Sequence, residues 1–212
     1  MTVPGRVAAA ALLLSLDPPA WFLRHARAVG EIAGWLARRL ERRGAVVDRR
    51  LVEAAGLLHD VDKLLPATDP ARRLPHADGS ADWLARQGHP ELGPAVANHP
   101  VTRLADGPAF LAWLAAASVE ERIVAYADKR AGQRLESLDA RFRSWARRYP
   151  DGWPGEPRGL VRRHAEMLEA DVCGRADVTP EAVRRLRWTV PALHAARTGP
   201  IASPSVPAPG NR

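Results

Sequence analysis

The stretch Leu57-Leu58-His59-Asp60-Val61-Asp62-Lys63 places an imidazole beside a carboxylate at the end of an apolar run. Burying histidine and aspartate together is unfavourable unless they are hydrogen-bonded or bind a metal, so the pair is a candidate metal site. By itself the pair also fits the end of a helix, where histidine faces the helix dipole and aspartate caps the next turn. Residues elsewhere in the chain decide between these two interpretations.

Three other polar residues occupy apolar faces or ends of predicted helices. His25 falls on the apolar stripe of the helix predicted over 20–43, and His99 ends another predicted helix. Asp128 lies on an apolar helix that is predicted to begin at the capping box of Ser118. An ionised carboxylate on such a face is costly unless it is paired or binds a metal. Facing helices of a bundle can direct side chains to one point, so a single metal centre explains all of these residues.

The chain as a whole is predicted to be all-α, because apolar residues recur at spacings of three and four through most of it. The predicted helices cover about 6–16, 20–43, 48–59, 80–87, 91–98, 108–117, 118–129, 137–148, 157–172 and 180–195. We expect a bundle domain over 1–150, a small helical extension over 151–196 and a disordered Pro-rich tail over 197–212.

Composition narrows the class of protein. The single cysteine, Cys173, excludes an internal disulfide and a cysteine-based zinc site, and it predicts a reducing, cytoplasmic location. No apolar run is long enough for a membrane span, so no membrane partner is expected. The formal charge of +7 attracts polyanions. We interpret the arginine-rich faces as solvated surface rather than a nucleic-acid site, because no nucleic-acid-binding motif accompanies them.

The order and the surroundings of these polar residues resemble the HD superfamily of metal-dependent phosphohydrolases. Arg24-His25, the stretch Leu57 to Lys63, and Tyr126-Ala127-Asp128-Lys129 resemble successive motifs of that family, and the resemblance covers roughly residues 10–148. It implies an HD-domain helical bundle over 1–150. It also implies that a metal-activated water cleaves a phosphate ester or anhydride of a small molecule, a nucleotide in our interpretation.

Two additional histidines resemble the binuclear branch of the family, which includes bacterial symmetrical diadenosine-tetraphosphate hydrolases. The implied metal ligands are His25, His59, Asp60, His76, His99 and Asp128. The resemblance implies two divalent cations, drawn from Fe, Mn, Co, Ni or Mg, with Asp60 as the bridge between them. His89 competes with His76 as the fifth ligand. We prefer His76 because the residues around it match a helix start in that branch.

Catalytic and substrate-binding roles follow from the same resemblance. Asp60 and Lys63 are the implied catalytic residues, and Lys63 would steady the phosphate group. Arg24, Arg130 and Arg134 are candidates for binding substrate phosphates.

Several alternatives stay open at this stage. Asp62 is either a hydrogen-bond partner of a ligand histidine or a surface residue, and Trp83 or Tyr126 is a candidate for stacking on a nucleobase. The same ligand pattern also occurs in HD-fold di-iron oxygenases, and a non-catalytic nucleotide-sensing HD module would share the fold. A homodimer is compatible with the sequence.

Overall fold

A computed structural model describes residues 3–148 and 159–199. The helices in these ranges are α1 (Arg6–Leu14), α2 (Ala20–Arg42), α3 (Arg49–Leu58), α4 (Asp78–Arg86), α5 (Gly93–Ala97), α6 (Gly107–Ala116), α7 (Val119–Arg130), α8 (Leu138–Arg148), α9 (Leu160–Ala176) and α10 (Thr189–Thr198). The described residues contain no strand beyond a single bridge between Ala131 and Leu135. The predicted all-α fold class is confirmed.

The packing of α3 against α2 forms the centre of the fold. The predicted apolar stripe of α2 is at most 3% exposed and consists of Phe22, Val29, Ile32, Leu36 and Leu40. Gly30 of α2 and Gly56 of α3 allow the two helices to approach closely. A Cβ on Gly56 would lie 3.2 Å from the Cα of Gly30. Because α3 ends at this contact, His59 and Asp60 leave the helix beside α2.

Helix α7 packs against α2, α3, α5 and α9. It begins with the predicted capping box. Ser118 Oγ accepts a hydrogen bond from Glu121 N at 3.2 Å, and Glu121 Oε1 accepts one from Ser118 N at 3.1 Å. The last turns of α7 therefore carry Asp128 into the space between α2 and α3.

Two predicted helices differ in the structure. The helix predicted over 91–98 is a 3-10 turn, Pro90–Leu92, followed by the short α5. The helix predicted over 180–195 is divided in the structure: a 3-10 turn, Pro180–Ala182, is followed by extended backbone at Val183, and α10 begins only at Thr189. Val183 is 1% exposed, so burial of this connection in the core has overridden the local helix-start signal of Thr179-Pro180.

The C-terminal helices share the core of the preceding helices. Leu168 of α9 and Leu193 of α10 belong to the same buried cluster as Leu13 and Leu36, and α10 packs along α1. Helix α10 continues to Thr198, into the predicted tail, and the rest of that tail lies outside the described residues. In the part of the chain that the structure describes, no helix is both long enough and apolar enough to span a bilayer.

Candidate metal centre

Three residues from different helices meet at the end of α3. His25 Nε2 of α2 lies 3.1 Å from His59 Nε2. Asp128 Oδ1 of α7 lies 3.4 Å from His25 Nε2 and 3.7 Å from His59 Nε2. Two imidazole nitrogens and a carboxylate oxygen therefore face one point, and these atoms are close enough together to hold one cation.

Asp60 stands between this group and a second one. Its Oδ2 lies 3.5 Å from both His25 Nε2 and His59 Nε2. Its Oδ1 lies 3.2 Å from His76 Nε2 and 3.2 Å from His99 Nε2. Each carboxylate oxygen thus faces a different pair of imidazoles, as a carboxylate that bridges two cations would. The structure brings all six predicted ligand residues together.

The other ring nitrogen of each histidine indicates how the rings are protonated. Nδ1 of His25, His59 and His99 lies 2.9, 3.0 and 2.6 Å from the carbonyl oxygens of Gly132, Gly56 and Val96, respectively. A carbonyl only accepts hydrogen bonds, so each Nδ1 donates its proton, and the neutral ring keeps a lone pair on Nε2. Two such lone pairs at 3.1 Å repel each other unless a positive charge, a proton or a cation, lies between them. The donor set therefore fits a bound metal.

The pKa values point to the same need for positive charge. Burial lowers the pKa of His25, but hydrogen bonds to Asp128 and Asp60 outweigh it and raise that pKa to about 9. Burial, together with the charges of the neighbouring imidazoles, lowers the pKa of His59 to about 3. The pKa of His25 is thus raised and that of His59 lowered, although their Nε2 atoms lie only 3.1 Å apart.

His76 is held by a network around Asp62. Asp62 Oδ2 accepts hydrogen bonds from His76 Nδ1 at 2.8 Å and from Ala77 N at 3.1 Å, while Oδ1 accepts one from Ser80 Oγ at 2.9 Å. Burial alone would raise the pKa of Asp62, but these partners keep it below its ordinary value. The sequence allowed Asp62 to be either a surface residue or a hydrogen-bond partner of a ligand histidine. In the structure Asp62 is 6% exposed and bonded to His76, which matches the second interpretation.

A glycine makes this network possible. A Cβ on Gly79 would lie 2.4 Å from the carbonyl oxygen of Ala71 and 3.2 Å from the Cβ of Asp62. Only glycine lets the start of α4 approach the preceding loop so closely, and this approach brings Ser80 to Asp62.

Lys63 contacts the same centre. Its Nζ donates to Asp60 Oδ2 at 2.7 Å, and its half-exposed side chain faces the adjoining cavity. Lys129, which the sequence analysis did not single out, is buried behind the site and donates to the carbonyl oxygens of His99 and Ala125. The sequence did contain a signal for Lys129, because it follows Asp128 in an apolar helix. A buried lysine in such a helix needs hydrogen-bond acceptors for its ammonium group.

The predicted phosphate-binding arginines divide into two groups. Arg24 and Arg134 line the cavity, and Arg24 also donates to Gln133 Oε1 at 2.9 and 2.7 Å. Arg130 does not line it. Its guanidinium is buried and donates to the Glu136 carbonyl, Tyr126 OH, Glu169 and the Pro180 carbonyl. The interpretation of Arg130 as a substrate contact is therefore corrected, since it clamps the loop after α7.

The remaining candidates lie away from the centre. His89 belongs to none of the potential metal-binding groups among the described residues, and it does not line the cavity. Tyr126 is fully buried and donates to Glu169 at 2.8 Å, so it offers no face to a nucleobase. Trp83 is 6% exposed and does not line the cavity either.

A cavity of about 680 Å³ opens beside the metal centre. It includes a wall that sequence analysis did not connect with the site, formed by α8. The side chains that line it from outside the six-residue centre include Trp21, Lys63, Arg134, Arg141, Ser144, Trp145 and Arg148. Trp21 is 48% exposed and lies at this cavity, where a planar group could stack on its indole.

One protein family matches a segment of the chain that contains all six residues of this centre. The family model described as "HD domain" matches residues 22–132, slightly more than half of the chain. Ribonuclease Y of Chlorobium phaeovibrioides (strain DSM 265 / 1930) is 42% identical over 64 residues, which are 30% of this chain and 10% of that protein. The match thus covers only a small part of that relative. No solved structure matches the chain. Helix α8 lies beyond the residues that match the family model.

Proposed function

The chain belongs to the HD domain family, and we propose that it is a metal-dependent phosphohydrolase that cleaves a phosphate ester or anhydride. The proposed metal ligands are His25, His59, Asp60, His76, His99 and Asp128. The observation that carries this proposal is the position of Asp60, whose two oxygens face separate pairs of imidazole nitrogens.

Two metals fit this arrangement better than one. The five other proposed ligands lie on two sides of Asp60: His25 and His59 face its Oδ2, whereas His76 and His99 face its Oδ1, and Asp128 lies beside His25 and His59. The donors are nitrogen and oxygen atoms without a thiolate, which suits Fe, Mn, Co, Ni or Mg. Cys173 is no candidate ligand, since its thiol is buried and contacts Tyr126 OH.

The chemistry is shared between the bound metals and the chain. Divalent cations in such a site lower the pKa of coordinated water and polarise phosphoryl oxygens. Lys63 lies 2.7 Å from Asp60 Oδ2 with its side chain at the cavity, so its ammonium group is placed to stabilise negative charge on the phosphoryl group. Arg134 and Arg24 extend this positive surface along the cavity and would orient the phosphate.

A small phosphorylated molecule fits the cavity. Its volume of about 680 Å³ lies in the range typical of small-molecule sites. The exposed indole of Trp21 supports a planar group such as a nucleobase, and a nucleotide is our proposed substrate. The cationic surface supports a phosphorylated substrate, and the release of phosphate against the uptake of oxygen separates hydrolysis from the di-iron oxygenase alternative.

The test combines elemental analysis of the purified protein with a panel of phosphate monoesters, diesters and nucleotides. We expect close to two metal ions per chain and phosphate release. His59→Ala and Asp60→Ala should remove metal and activity while the helical content stays the same. His76→Ala should remove one metal, whereas the matched variant His89→Ala should keep both.

Different results would contradict the proposal in distinct ways. Full metal content and full turnover in both His59→Ala and Asp60→Ala would refute the site. Two irons with oxygen uptake and no phosphate release would favour the oxygenase, and bound metal without any turnover would favour a nucleotide-sensing module.

A further inference from the structure

Helix α8 presents one of its faces to the cavity. Arg141, Ser144, Trp145 and Arg148 are spaced by three, one and three residues, so they share one side of the helix, and all four line the cavity. From Arg141 to Arg148 this face extends about 10 Å along the helix axis. Arg134 from the loop before α8 lines the same wall.

The arginines of this wall have no acidic partner. Within the described ranges, no carboxylate forms an ion pair with Arg134, Arg141 or Arg148. Other surface arginines do have acidic partners. Arg162 of α9, for example, forms ion pairs with Asp139 and Glu166. Among the described residues, the wall thus carries three arginines that form no ion pair with a carboxylate.

Arg141 is the most informative of the three. Its Nε is buried without a hydrogen-bond partner, and its guanidinium stacks over the Trp145 ring at 4.6 Å from the centroid. A buried donor without a partner is unfavourable, and stacking on an indole holds the guanidinium in a fixed plane. Arg141 also lines the cavity, and a guanidinium held in one plane there is suited to bidentate binding of a phosphate or carboxylate.

The carboxylates at the cavity do not neutralise this wall. Asp60 and Asp128 face the histidines and would be taken up by the metals, which leaves Glu136 as the remaining acidic side chain that lines the cavity. Like charges held close together repel each other, so an anionic ligand would lower the energy of this arrangement.

We propose that α8 forms a second anion site, which binds a phosphate group of the substrate other than the one that is cleaved. This inference rests on the proposed function, which assigns the cleaved phosphate to the metal centre. The substrate then carries at least two phosphate groups, as in a diphosphate or a longer phosphoanhydride chain. The cavity volume of about 680 Å³ lies in the range of small-molecule sites, so we propose a small molecule rather than a nucleic-acid strand.

The test measures binding of methylenediphosphonate and of methylphosphonate to the metal-loaded protein by calorimetry. Arg141→Gln should weaken methylenediphosphonate binding about tenfold or more, because a charge-assisted hydrogen bond is lost. The same change should alter methylphosphonate binding less than about threefold. Metal content is measured after each titration, because diphosphonates can also chelate metals.

Matched variants on the same helix serve as controls. Arg147→Gln removes the same charge from α8, but its side chain does not line this cavity, so binding of both ligands should stay unchanged. Arg148→Gln, at the exposed end of α8, should also weaken only methylenediphosphonate binding, and it provides a second test if Arg141→Gln is unstable.

Hydrolysis separates failure of this inference from failure of the proposed function. Release of 4-nitrophenol from 4-nitrophenyl phosphate and the metal content test the metal centre alone, and both should persist in Arg147→Gln and be lost in Asp60→Ala. The second anion site is refuted if Arg141→Gln and Arg147→Gln behave alike, or if Arg141→Gln weakens both ligands equally. It is also refuted if Arg141 is needed for binding an oligonucleotide but not methylenediphosphonate.

Discussion

At the level of single residues, the site depends on partners that orient the histidine rings. Three rings are held by backbone carbonyls, of Gly132, Gly56 and Val96, whereas His76 depends on the carboxylate of Asp62. His76 is also more exposed than the others, at 37% of its side chain. Of the two proposed metals, the one at His76 is therefore expected to be the more weakly held.

Asp62→Asn tests this dependence. Asparagine keeps the size of the side chain but removes the charge that fixes the His76 ring, and such changes cost about 10- to 100-fold in metal affinity. We expect the variant to lose one metal at chelator concentrations that leave the wild type with two. The measurement is metal content during titration with a chelator.

Asp82→Asn is the control for this variant. Asp82 lies on α4 and pairs with Arg86 at the surface, away from the site, so its removal should leave both metals in place. Equal metal retention in Asp62→Asn and the wild type would mean that the His76 ring does not need Asp62.

At the level of helices, the site depends on how closely α3 approaches α2. His25 and His59 belong to different helices, and the distance between their Nε2 atoms follows from the contact at Gly30 and Gly56. The Ala33 side chain lies within 3.3 Å of where a Cβ on Gly56 would be, so the contact has no spare room. This small-residue contact couples helix packing to the metal centre.

Gly56→Leu should therefore affect stability and metal binding together. The larger side chain forces α2 and α3 apart, and overpacking of this kind costs about 1–3 kcal/mol of unfolding free energy. We expect a lower free energy of unfolding in urea and a loss of metal in the protein that still folds.

Gly174→Ala is the matched control, because a Cβ on this α9 glycine would meet nothing within 4 Å. It should stabilise the protein by about 0.5–1 kcal/mol through helix propensity and leave the metal content unchanged. The role of close packing would be refuted if Gly56→Leu were as stable and as metal-rich as the wild type.

At the level of the whole molecule, the candidate ligands join five separate segments. They come from α2, the residues directly after α3, the turn before α4, the turn after α5, and α7. The core continues into α9 and α10, which pack on α7 and α1, respectively. A metal held by these ligands would link segments distant in sequence, and its binding free energy would add to the stability of the entire fold.

Removal of the metal should accordingly lower the melting temperature of the whole chain. A ligand present at about 1000 times its Kd stabilises the folded state by about 4 kcal/mol. For a chain of this size, that loss corresponds to about 8–15 °C in melting temperature. The measurement is thermal unfolding followed by circular dichroism before and after dialysis against a chelator.

Asp60→Ala provides the comparison for metal removal. It lacks the shared ligand, so the chelator should leave its melting temperature unchanged. A wild type whose melting temperature also did not respond to the chelator would show that metal contributes nothing to the fold.

The sequence by itself determined the helical class, the buried faces of the long helices and the residue types of the candidate centre. Helical periodicity reports which residues of one segment are buried, and His25, His59 and Asp128 stood out because they occupied apolar faces. A capping box, as at Ser118, is equally local and was predicted correctly.

The partner that each polar side chain meets follows from how the helices pack in three dimensions. Arg130 turned to the loop and to α9, Asp62 turned to His76, and the arginines of α8 came to line the cavity. The physical reason is that orientation within a helix follows from local spacing, whereas contacts between segments follow from packing of the whole core. Arginine spacing on α8 is the same for a solvated face and for an anion site, and only the position of the neighbouring metal centre distinguishes the two.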